Sequence, residues 1–183
     1  MAAPQPKERT LVLSDNIDKS TVKDIMQNIL IINDDDYNKE LDYKDWKREP
    51  IKLFINSFGG SVYDGLALID VIKYSVTPVH TICVGSGMSM GLWIWMSGHQ
   101  RIIGKHATLM FHDLSTWAIG KTPEIKQELA EVLRLQDMLI DEITKTSLIT
   151  KKQIMSYVDR KAEWYISAQE AIKYKLADKF LGE

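Results

Sequence analysis

The sequence predicts an α/β domain in which strands and helices alternate along the chain. Short apolar runs rich in β-branched residues alternate with longer segments whose apolar residues recur at helical spacing. From residue 51 to residue 103, helices separate successive strands, an arrangement that favours parallel pairing with right-handed crossovers. The length of 183 residues, with 45% hydrophobic and 26% charged residues, is typical of one globular domain.

The first fifty residues are predicted to contain one strand and one helix. Residues 1–8 are polar and contain prolines, which predicts a flexible N-terminal arm, and residues 9–183 form a single predicted domain. The apolar run Thr10–Leu13 predicts a strand. Apolar residues at helical spacing predict an amphipathic helix over Ser20–Ile32. We interpret the highly charged stretch 33–50 as a solvated helix end followed by a loop.

After residue 50, strands alternate with helices up to residue 103, and one further strand follows. Apolar runs bounded by glycine, proline and polar residues mark the strands, and segments with helical spacing lie between them. The predicted strands are 51–56, 79–84, 100–103 and 107–111, the predicted helices are 62–74 and 88–96, and the predicted turns are 59–60 and 85–87.

The last third of the chain is predicted to be mainly helical. Thr122 as N-cap and Pro123 in the first turn start a helix that runs to about Thr146. About 25 residues at 1.5 Å per residue give a rod of roughly 37 Å, longer than a small domain needs. Its apolar residues spread over more than one stripe, so part of it is expected to pack on another subunit. The remaining predicted elements are a short helix from Lys151 and a last helix from the capping box at 167–170 to about Leu176.

Composition and charge exclude several classes of function. Lys and Arg number 23 against 25 Asp and Glu, a net charge of −2, which argues against binding of nucleic acid or anionic membranes. The single cysteine, Cys83, allows no internal disulfide, and the first ten residues lack the apolar core of a secretory signal, so a reducing, cytoplasmic location is expected. The uncharged stretch 74–100 could span a bilayer, but one proline and four glycines interrupt it, which favours a buried soluble core.

The motifs predict neither a cofactor nor a metal. Gly120–Thr122 resembles the end of a phosphate-binding loop, but Ser115 stands where the earlier glycine is required. The glycines at 85, 87 and 91 are spaced one residue too widely for a dinucleotide fingerprint. Asp34 does not begin an EF-hand loop, because Lys39 would then take the glycine position.

The sharpest local motif is the sequence GMSMG at 87–91. It follows an apolar strand and opens a helix, the context of a nucleophile turn that exposes a serine hydroxyl and aims the next backbone N–H at an oxyanion. A plain Gly/Ser turn before a packed helix is the alternative. The α/β-hydrolase order of serine, acid and histidine is excluded, because no Asp or Glu lies between Ser89 and His112, the last histidine. The order serine, histidine, acid stays open.

Four histidines and several acids compete for the other roles of a serine site. His112 ends an apolar run, where a strand would deliver its side chain to the edge of a sheet, although a structural role is the alternative there. Asp159 follows a short helix, a loop position typical of functional residues, but spacing alone does not select it. The other candidates are His80, His99 and His106 for the base and Asp113, Asp137 and Asp141 for the acid.

Five motifs, in order along the chain, resemble the Clp protease proteolytic subunit, the ClpP family. They are Ile55–Val62 (INSFGGSV), Thr81–Gly85 (TICVG), Ser89–Gly91 (SMG), Met110–His112 (MFH) and Ser167–Ala171 (SAQEA). The resemblance implies a ClpP/crotonase-like α/β fold of repeated ββα units with a projecting handle at about 113–149. It also implies homo-oligomeric, heptameric rings, single or double, that enclose the active sites. The implied partner is a Clp-type ring ATPase that unfolds and feeds polypeptide substrates.

The resemblance also implies roles for individual residues. Ser89 would be the nucleophile, His112 the general base and Asp159 the acid that orients the base. The backbone N–H groups of Gly60 and Met90 would form the oxyanion hole. The implied function is a self-compartmentalising serine endopeptidase that hydrolyses unfolded polypeptides. The alternative is a structural ring subunit with little or no catalysis.

Two departures from the family pattern mark a divergent member. Phe58 replaces a proline beside the oxyanion turn, which removes a fixed φ angle. Val158 takes the place of an arginine that the family uses in ring–ring contact. These departures favour the structural subunit, whereas the retained serine, histidine and acid favour the peptidase.

Overall fold

The structure, a computed structural model, describes residues 8–114 and 119–183. Residues 1–7 of the predicted arm and residues 115–118 of the predicted handle lie outside the described residues. Over the described residues, seven strands and six helices alternate, which confirms the α/β prediction. No helix in this part of the chain is long and apolar enough to cross a membrane. In chain order the elements are β1 (Thr10–Leu13), α1 (Lys19–Asp42), β2 (Ile51–Ser57), α2 (Val62–Tyr74), β3 (Val79–Met88), α3 (Met90–Met96), β4 (Gln100–Ile103), β5 (Thr108–Phe111), α4 (Thr122–Thr146), α5 (Lys151–Val158), β6 (Trp164–Ser167), α6 (Ala168–Lys173) and β7 (Lys179–Phe180).

One sheet joins these seven strands. β1, β2, β3, β4 and β7 are neighbours in that order, and each of these pairs is parallel. The parallel pairing of β2 with β3 and of β3 with β4 confirms the prediction for the strands that helices separate. β5 runs parallel to the second half of β3, and β6 pairs with β5 in the antiparallel direction. The buried side chains of α1, α2 and α3 join those of the sheet in one apolar core, with Leu53, Ile55 and Trp95 fully buried.

β3 is longer than the sequence predicts, and its length places the candidate site. The turn predicted at Gly85–Gly87 is wrong, because the strand continues to Met88. The first half of β3 pairs with β4 and the second half with β5. The change of partner occurs at Gly85, which has a φ of +70° and lies so close to the Asn56 side chain that a Cβ atom would collide with it. The glycine therefore marks a kink within a continuous strand.

α1 continues to Asp42, ten residues past the amphipathic pattern that ends at Ile32, so the charged stretch 33–50 begins with helix and continues as a loop, as interpreted. The helix end is not wholly solvated, because Asp36 and Lys39 are buried. Its inner face carries the fully buried carboxylate of Asp36 in place of an apolar residue. This carboxylate accepts hydrogen bonds from Arg9 Nη1 at 2.9 Å and from the Thr77 hydroxyl at 2.7 Å. The spacing of apolar residues does not reveal this buried face, because Arg9 and Thr77, the partners of Asp36, lie far from it in the sequence.

Two short strands near the C-terminus are absent from the sequence prediction. β7 has only two residues, too few to show an alternating pattern, whereas the four residues of β6 run directly into the capping box of α6. α6 ends at Lys173 rather than near Leu176. β6 matters for the candidate site, because Trp164 pairs with Phe111 and so places the connection between α5 and β6 beside the end of β5.

The long helix α4 ends where predicted, with Lys121 rather than Thr122 as its N-cap. Residues 122–130 in its first half are all exposed. Among them, Ile125 is 42% and Leu129 is 53% exposed, and they begin an apolar stripe that nothing in the described part of the chain covers. The buried residues all belong to the second half and are Leu135, Leu139, Ile140 and Ile143.

Candidate active site

Ser89 lies on the sharp turn between β3 and α3. Its φ of +51° and ψ of −125° are strained for a residue with a side chain. The Ser89 N–H donates to the Met110 carbonyl at 2.9 Å, which holds the turn against β5. The turn occupies the start of the helix predicted from residue 88, so α3 begins at Met90. The serine thus has the strand–turn–helix context of a nucleophile turn.

His112 follows β5 directly and reaches the serine hydroxyl. Met88 pairs with Met110 in parallel register, so the residues that follow β3 and β5 leave the sheet at the same edge. His112 Nε2 lies 2.8 Å from Ser89 Oγ. A neutral imidazole that carries its proton on Nδ1 can accept a hydrogen bond from the Ser89 hydroxyl through Nε2. In this position it can act as a general base.

The turn after β2, residues 57–61, is held by the segment between β1 and α1. The Ile17 N–H donates to the Gly59 carbonyl at 2.9 Å, and the Ser61 N–H donates to the Ile17 carbonyl at 2.8 Å. Because backbone groups alternate in direction along an extended chain, the Gly60 N–H points away from Ile17. Only glycine fits at residue 60, since a Cβ atom there would lie 2.2 Å from the Ile17 carbonyl oxygen.

Two backbone N–H groups belong to residues next to Ser89 or to the turn that touches it. A Cβ atom built on Gly59 would lie 2.7 Å from Ser89 Cβ, so this turn touches the serine, and the N–H that follows is that of Gly60. On the other side, Met90 is the first residue of α3, where an N–H has no acceptor within the helix. Within residues 8–114 and 119–183, neither N–H donates to another protein group. Two backbone N–H groups that have no acceptor of their own and lie beside a nucleophile can together stabilise an oxyanion.

Asp159, the acid assigned by the resemblance, is the exposed residue that follows α5. The pairing of Phe111 with Trp164 brings the connection between α5 and β6 to the end of β5 that carries His112. Over the described residues, no hydrogen bond joins Asp159 to His112. The structure therefore brings Ser89 and His112 together, whereas Asp159, five residues before Trp164 in the chain, makes no hydrogen bond to His112 among the described residues.

The other candidate acids do not hold the imidazole either. Asp141 forms an ion pair with Lys145 of α4, and Asp137 forms one with Lys151 of α5. Asp113 is exposed and makes no hydrogen bond to His112 in the described part of the chain. No group of three or more potential metal ligands occurs among the described residues.

The other three histidines lie away from the serine. His80 lies on β3, where burial and nearby positive charges lower the pKa of its imidazole. His99 Nδ1 accepts the Val79 N–H at 3.1 Å, and His106 is exposed between β4 and β5.

Burial raises the pKa of the Cys83 thiol to about 12, so this side chain is unreactive.

Sequence reasoning assigned no role to two polar residues that shape the site. Asn56 Oδ1 accepts hydrogen bonds from the Ser86 N–H at 3.0 Å and from the Ser86 hydroxyl at 2.9 Å, which ties the end of β2 to the kink of β3. The hydroxyl of Ser57 accepts the Gly59 N–H at 3.1 Å. The sequence feature that could have identified these two residues is their position at the carboxyl end of a strand, directly before a glycine turn.

Comparison with known proteins agrees with the resemblance. The family model described as Clp protease matches residues 5–183. The ATP-dependent Clp protease proteolytic subunit of Deinococcus radiodurans is 31% identical over 179 residues, which cover 97% of this chain and 82% of that protein. ATP-dependent Clp protease proteolytic subunit 3 of Synechococcus sp. (strain CC9902) and subunit 2 of Prochlorococcus marinus subsp. pastoris are each 33% identical over 177 residues, with 95% of this chain and 82% of each relative covered. Because the match extends over nearly its whole length, the chain belongs to the Clp protease family.

Proposed function

We propose that this protein is a serine endopeptidase that hydrolyses peptide bonds of unfolded polypeptides. The observation that carries the proposal is the 2.8 Å separation of His112 Nε2 and Ser89 Oγ. A general base in contact with a serine hydroxyl, beside two free backbone N–H groups, has the groups that acyl transfer requires. Membership of the Clp protease family, whose matched relatives are named proteolytic subunits, supports the same chemistry.

In the proposed reaction, His112 removes the hydroxyl proton of Ser89 while Oγ attacks the scissile carbonyl carbon. The N–H groups of Gly60 and Met90 stabilise the negative charge that develops on the carbonyl oxygen. The imidazolium then gives its proton to the leaving amine, and the acyl-enzyme forms. A water molecule that His112 deprotonates hydrolyses the acyl-enzyme and restores the serine.

The proposal assigns Asp159 to the role of orienting acid. Its position in the connection that leads into β6, the partner of β5, supports this assignment, and catalytic hydrogen bonds often tighten only when substrate is bound. The carboxylate would hold the imidazole proton on Nδ1 and stabilise the imidazolium. Asp159→Asn is expected to lower kcat by about 100- to 10,000-fold with little change in KM.

The missing hydrogen bond between Asp159 and His112 favours a second candidate function. A ring subunit that assembles with active relatives would contribute little catalysis of its own if its imidazole stayed without an orienting partner. Phe58 and Val158, which depart from the family pattern, also favour the structural ring subunit. Turnover by the isolated chain discriminates between the two functions.

The proposal includes heptameric rings, single or double, that receive substrates from a Clp-type ring ATPase. The exposed apolar stripe at the start of α4 supports an assembly, because a contiguous apolar surface commonly marks a protein interface. The relatives are named ATP-dependent, which supports the ATPase partner. The one cysteine is free and buried, which fits the proposed cytoplasmic location.

Hydrolysis of a fluorogenic peptide and of an unfolded protein by the purified chain tests the proposal. Ser89→Ala and His112→Ala are each expected to lower turnover at least about 1,000-fold without changing the circular dichroism spectrum or the assembly size. His106→Ala is the matched control, because this histidine is exposed and does not contact the serine. Turnover that survives Ser89→Ala would contradict the proposal. Folded, assembled protein without any turnover would favour the structural subunit.

A further inference from the structure

Ser57 places a buried hydroxyl group between the turn at 57–61 and the rest of the fold. The residue is 2% exposed. Its hydroxyl donates to the Asp15 carbonyl at 2.7 Å and accepts the Gly59 N–H at 3.1 Å. The single hydroxyl therefore connects the turn to the segment between β1 and α1, the same segment that holds the turn through Ile17.

These hydrogen bonds fix both peptide planes that meet at Gly59. The Ser57 hydroxyl holds the plane that contains the Gly59 N–H. The Ile17 N–H holds the next plane, which contains the Gly59 carbonyl and the Gly60 N–H. The direction of the Gly60 N–H depends on the rotation between these planes, so the Ser57 hydroxyl restricts where that N–H points.

The backbone of this turn is unusually free to rotate unless hydrogen bonds restrain it. Two consecutive glycines, Gly59 with a φ of +111° and Gly60 with a φ of +149°, have more backbone freedom than any other pair of residues. The preceding residue is Phe58, whose side chain is 78% exposed and which lacks the ring that would fix φ in a proline. The turn is therefore held by hydrogen bonds rather than by its own covalent structure.

From this geometry we infer that Ser57 is a positioning residue for the oxyanion hole. Its hydroxyl holds the Gly59–Gly60 turn so that the Gly60 N–H is directed at the oxyanion that forms next to Ser89. The inference rests on the proposed function, because it concerns the same site. It predicts that loss of the hydroxyl slows the chemical step and leaves substrate affinity unchanged.

Ser75 is a matched control elsewhere in the fold. It is 6% exposed, and its hydroxyl also makes two hydrogen bonds, donating to the Thr77 carbonyl at 2.6 Å and accepting from Asn33 Nδ2 at 2.7 Å. It follows α2 and belongs to no part of the proposed catalytic machinery. Ser75→Ala therefore removes an equivalent buried hydroxyl without touching the oxyanion turn.

The test compares the full-length wild type with Ser57→Ala, Ser57→Thr and Ser75→Ala. Complete loss of one oxyanion donor costs about 100- to 1,000-fold in kcat, so a misdirected donor is expected to cost about 10- to 100-fold. Ser57→Ala should show this loss in kcat, and in the rate of fluorophosphonate labelling of Ser89, with KM within about twofold of the wild type. Ser57→Thr should recover most of the rate, and Ser75→Ala should retain it despite a similar shift in its unfolding midpoint.

Hydrogen exchange provides a second measurement that does not depend on activity. The amide protons of residues 58–62 should exchange faster in Ser57→Ala than in the wild type, and at the wild-type rate in Ser75→Ala. Labelling of Ser57→Ala at the wild-type rate, or unchanged exchange in this segment, would overturn the positioning role. A wild type that carries no label on Ser89 would instead contradict the proposed function, and exchange would then decide separately whether Ser57 holds the turn.

Discussion

Ser89, Gly59 and Gly60 show how single residues set the geometry of the candidate site. Ser89 has a positive φ, a conformation that costs roughly 1–3 kcal/mol and persists only where the surroundings enforce it. β5 and the glycine turn supply that enforcement, because the Met110 carbonyl accepts the Ser89 N–H and Gly59 packs directly on the serine. The strain exposes the hydroxyl to His112 at the start of α3.

Gly60→Ala is predicted to damage both stability and catalysis. A Cβ atom at this position would lie 2.2 Å from the Ile17 carbonyl oxygen, and φ is already +149°, so the turn must shift. The free energy of unfolding in urea should fall by at least about 2 kcal/mol, and labelling of Ser89 should be lost. Gly182→Ala is the control, because its φ is also positive but nothing lies within 4 Å. Equal behaviour of the two variants would contradict the account of the turn.

The candidate residues were predictable from the sequence to different degrees. The GMSMG motif and the apolar run before His112 predict that Ser89 and His112 lie at the edge of a sheet. The parallel register of β3 and β5 brings them together, with His112 Nε2 2.8 Å from Ser89 Oγ. The roles of these residues, and of Asp159, stay predictions. Ser57 was not recognised, because its function depends on Asp15, a residue 42 positions away whose carbonyl is brought near only by folding.

Among the elements, α1 depends on a buried ion pair in its C-terminal third. Arg9, just before β1, contacts Asp36 of α1, and the Thr77 hydroxyl before β3 donates to the same carboxylate. Burial pushes the pKa of Asp36 upward, but hydrogen bonds from Arg9 and Thr77, together with the Arg9 charge, outweigh it and hold the pKa below its ordinary value. Asp36 therefore joins three parts of the fold as long as it is ionised.

Asp36→Asn should destabilise the protein in a pH-dependent way. At pH 7 the variant should lose about 3–5 kcal/mol of the free energy of unfolding, because Arg9 is left buried without its counter-charge. A carboxyl group with a lowered pKa in the folded state stabilises the fold above its unfolded pKa, and this stabilisation is lost as the pH falls through the folded value. The difference between wild type and variant should therefore shrink below about pH 4.

Urea unfolding from pH 3 to pH 8 measures this difference. Asp34→Asn is the control, since it removes an exposed carboxylate from the same helix and should change stability by no more than about 0.5 kcal/mol. A difference between Asp36→Asn and wild type that does not vary with pH would show that the charge of Asp36 does not stabilise α1.

Two elements that sequence reasoning misjudged, α1 and β3, share one physical cause. α1 continues past Ile32 because a buried charge, paired with Arg9, replaces an apolar residue on its inner face. β3 continues through Gly85 because a second partner strand, β5, takes over the pairing. In both cases a contact distant in the sequence decides the local structure, whereas α2, β4 and α4 follow their own sequence patterns and end where predicted.

On the scale of the whole molecule, α4 divides into a packed half and an exposed half. Its second half contains the four buried residues, whereas the first half presents an apolar stripe to solvent, with Ile125, Leu129 and Leu133 between 42% and 53% exposed. These side chains recur every four residues and so lie along one face of the helix. The stripe supports the proposed assembly, in which a second copy of the chain covers it.

Leu129→Ser is predicted to weaken assembly without unfolding the protomer. The side chain is exposed in the isolated chain, so its loss leaves no cavity, but it removes apolar surface from the proposed contact. Sedimentation velocity at several protein concentrations should show a smaller species than the wild type forms. Gln127→Ser, an exposed polar position on the same helix, is the control. An unchanged size distribution for Leu129→Ser would exclude this stripe as part of the subunit contact.

The most direct test of the central claim is fluorophosphonate labelling of the assembled wild-type protein, with the modified residue located by peptide mass spectrometry. Only a serine that is activated by a base and an oxyanion hole reacts rapidly with this probe. We expect a single adduct on Ser89 that is lost in His112→Ala and kept in His106→Ala. Folded, assembled protein that acquires no adduct on Ser89, or that reacts equally well without His112, would contradict the account of the site.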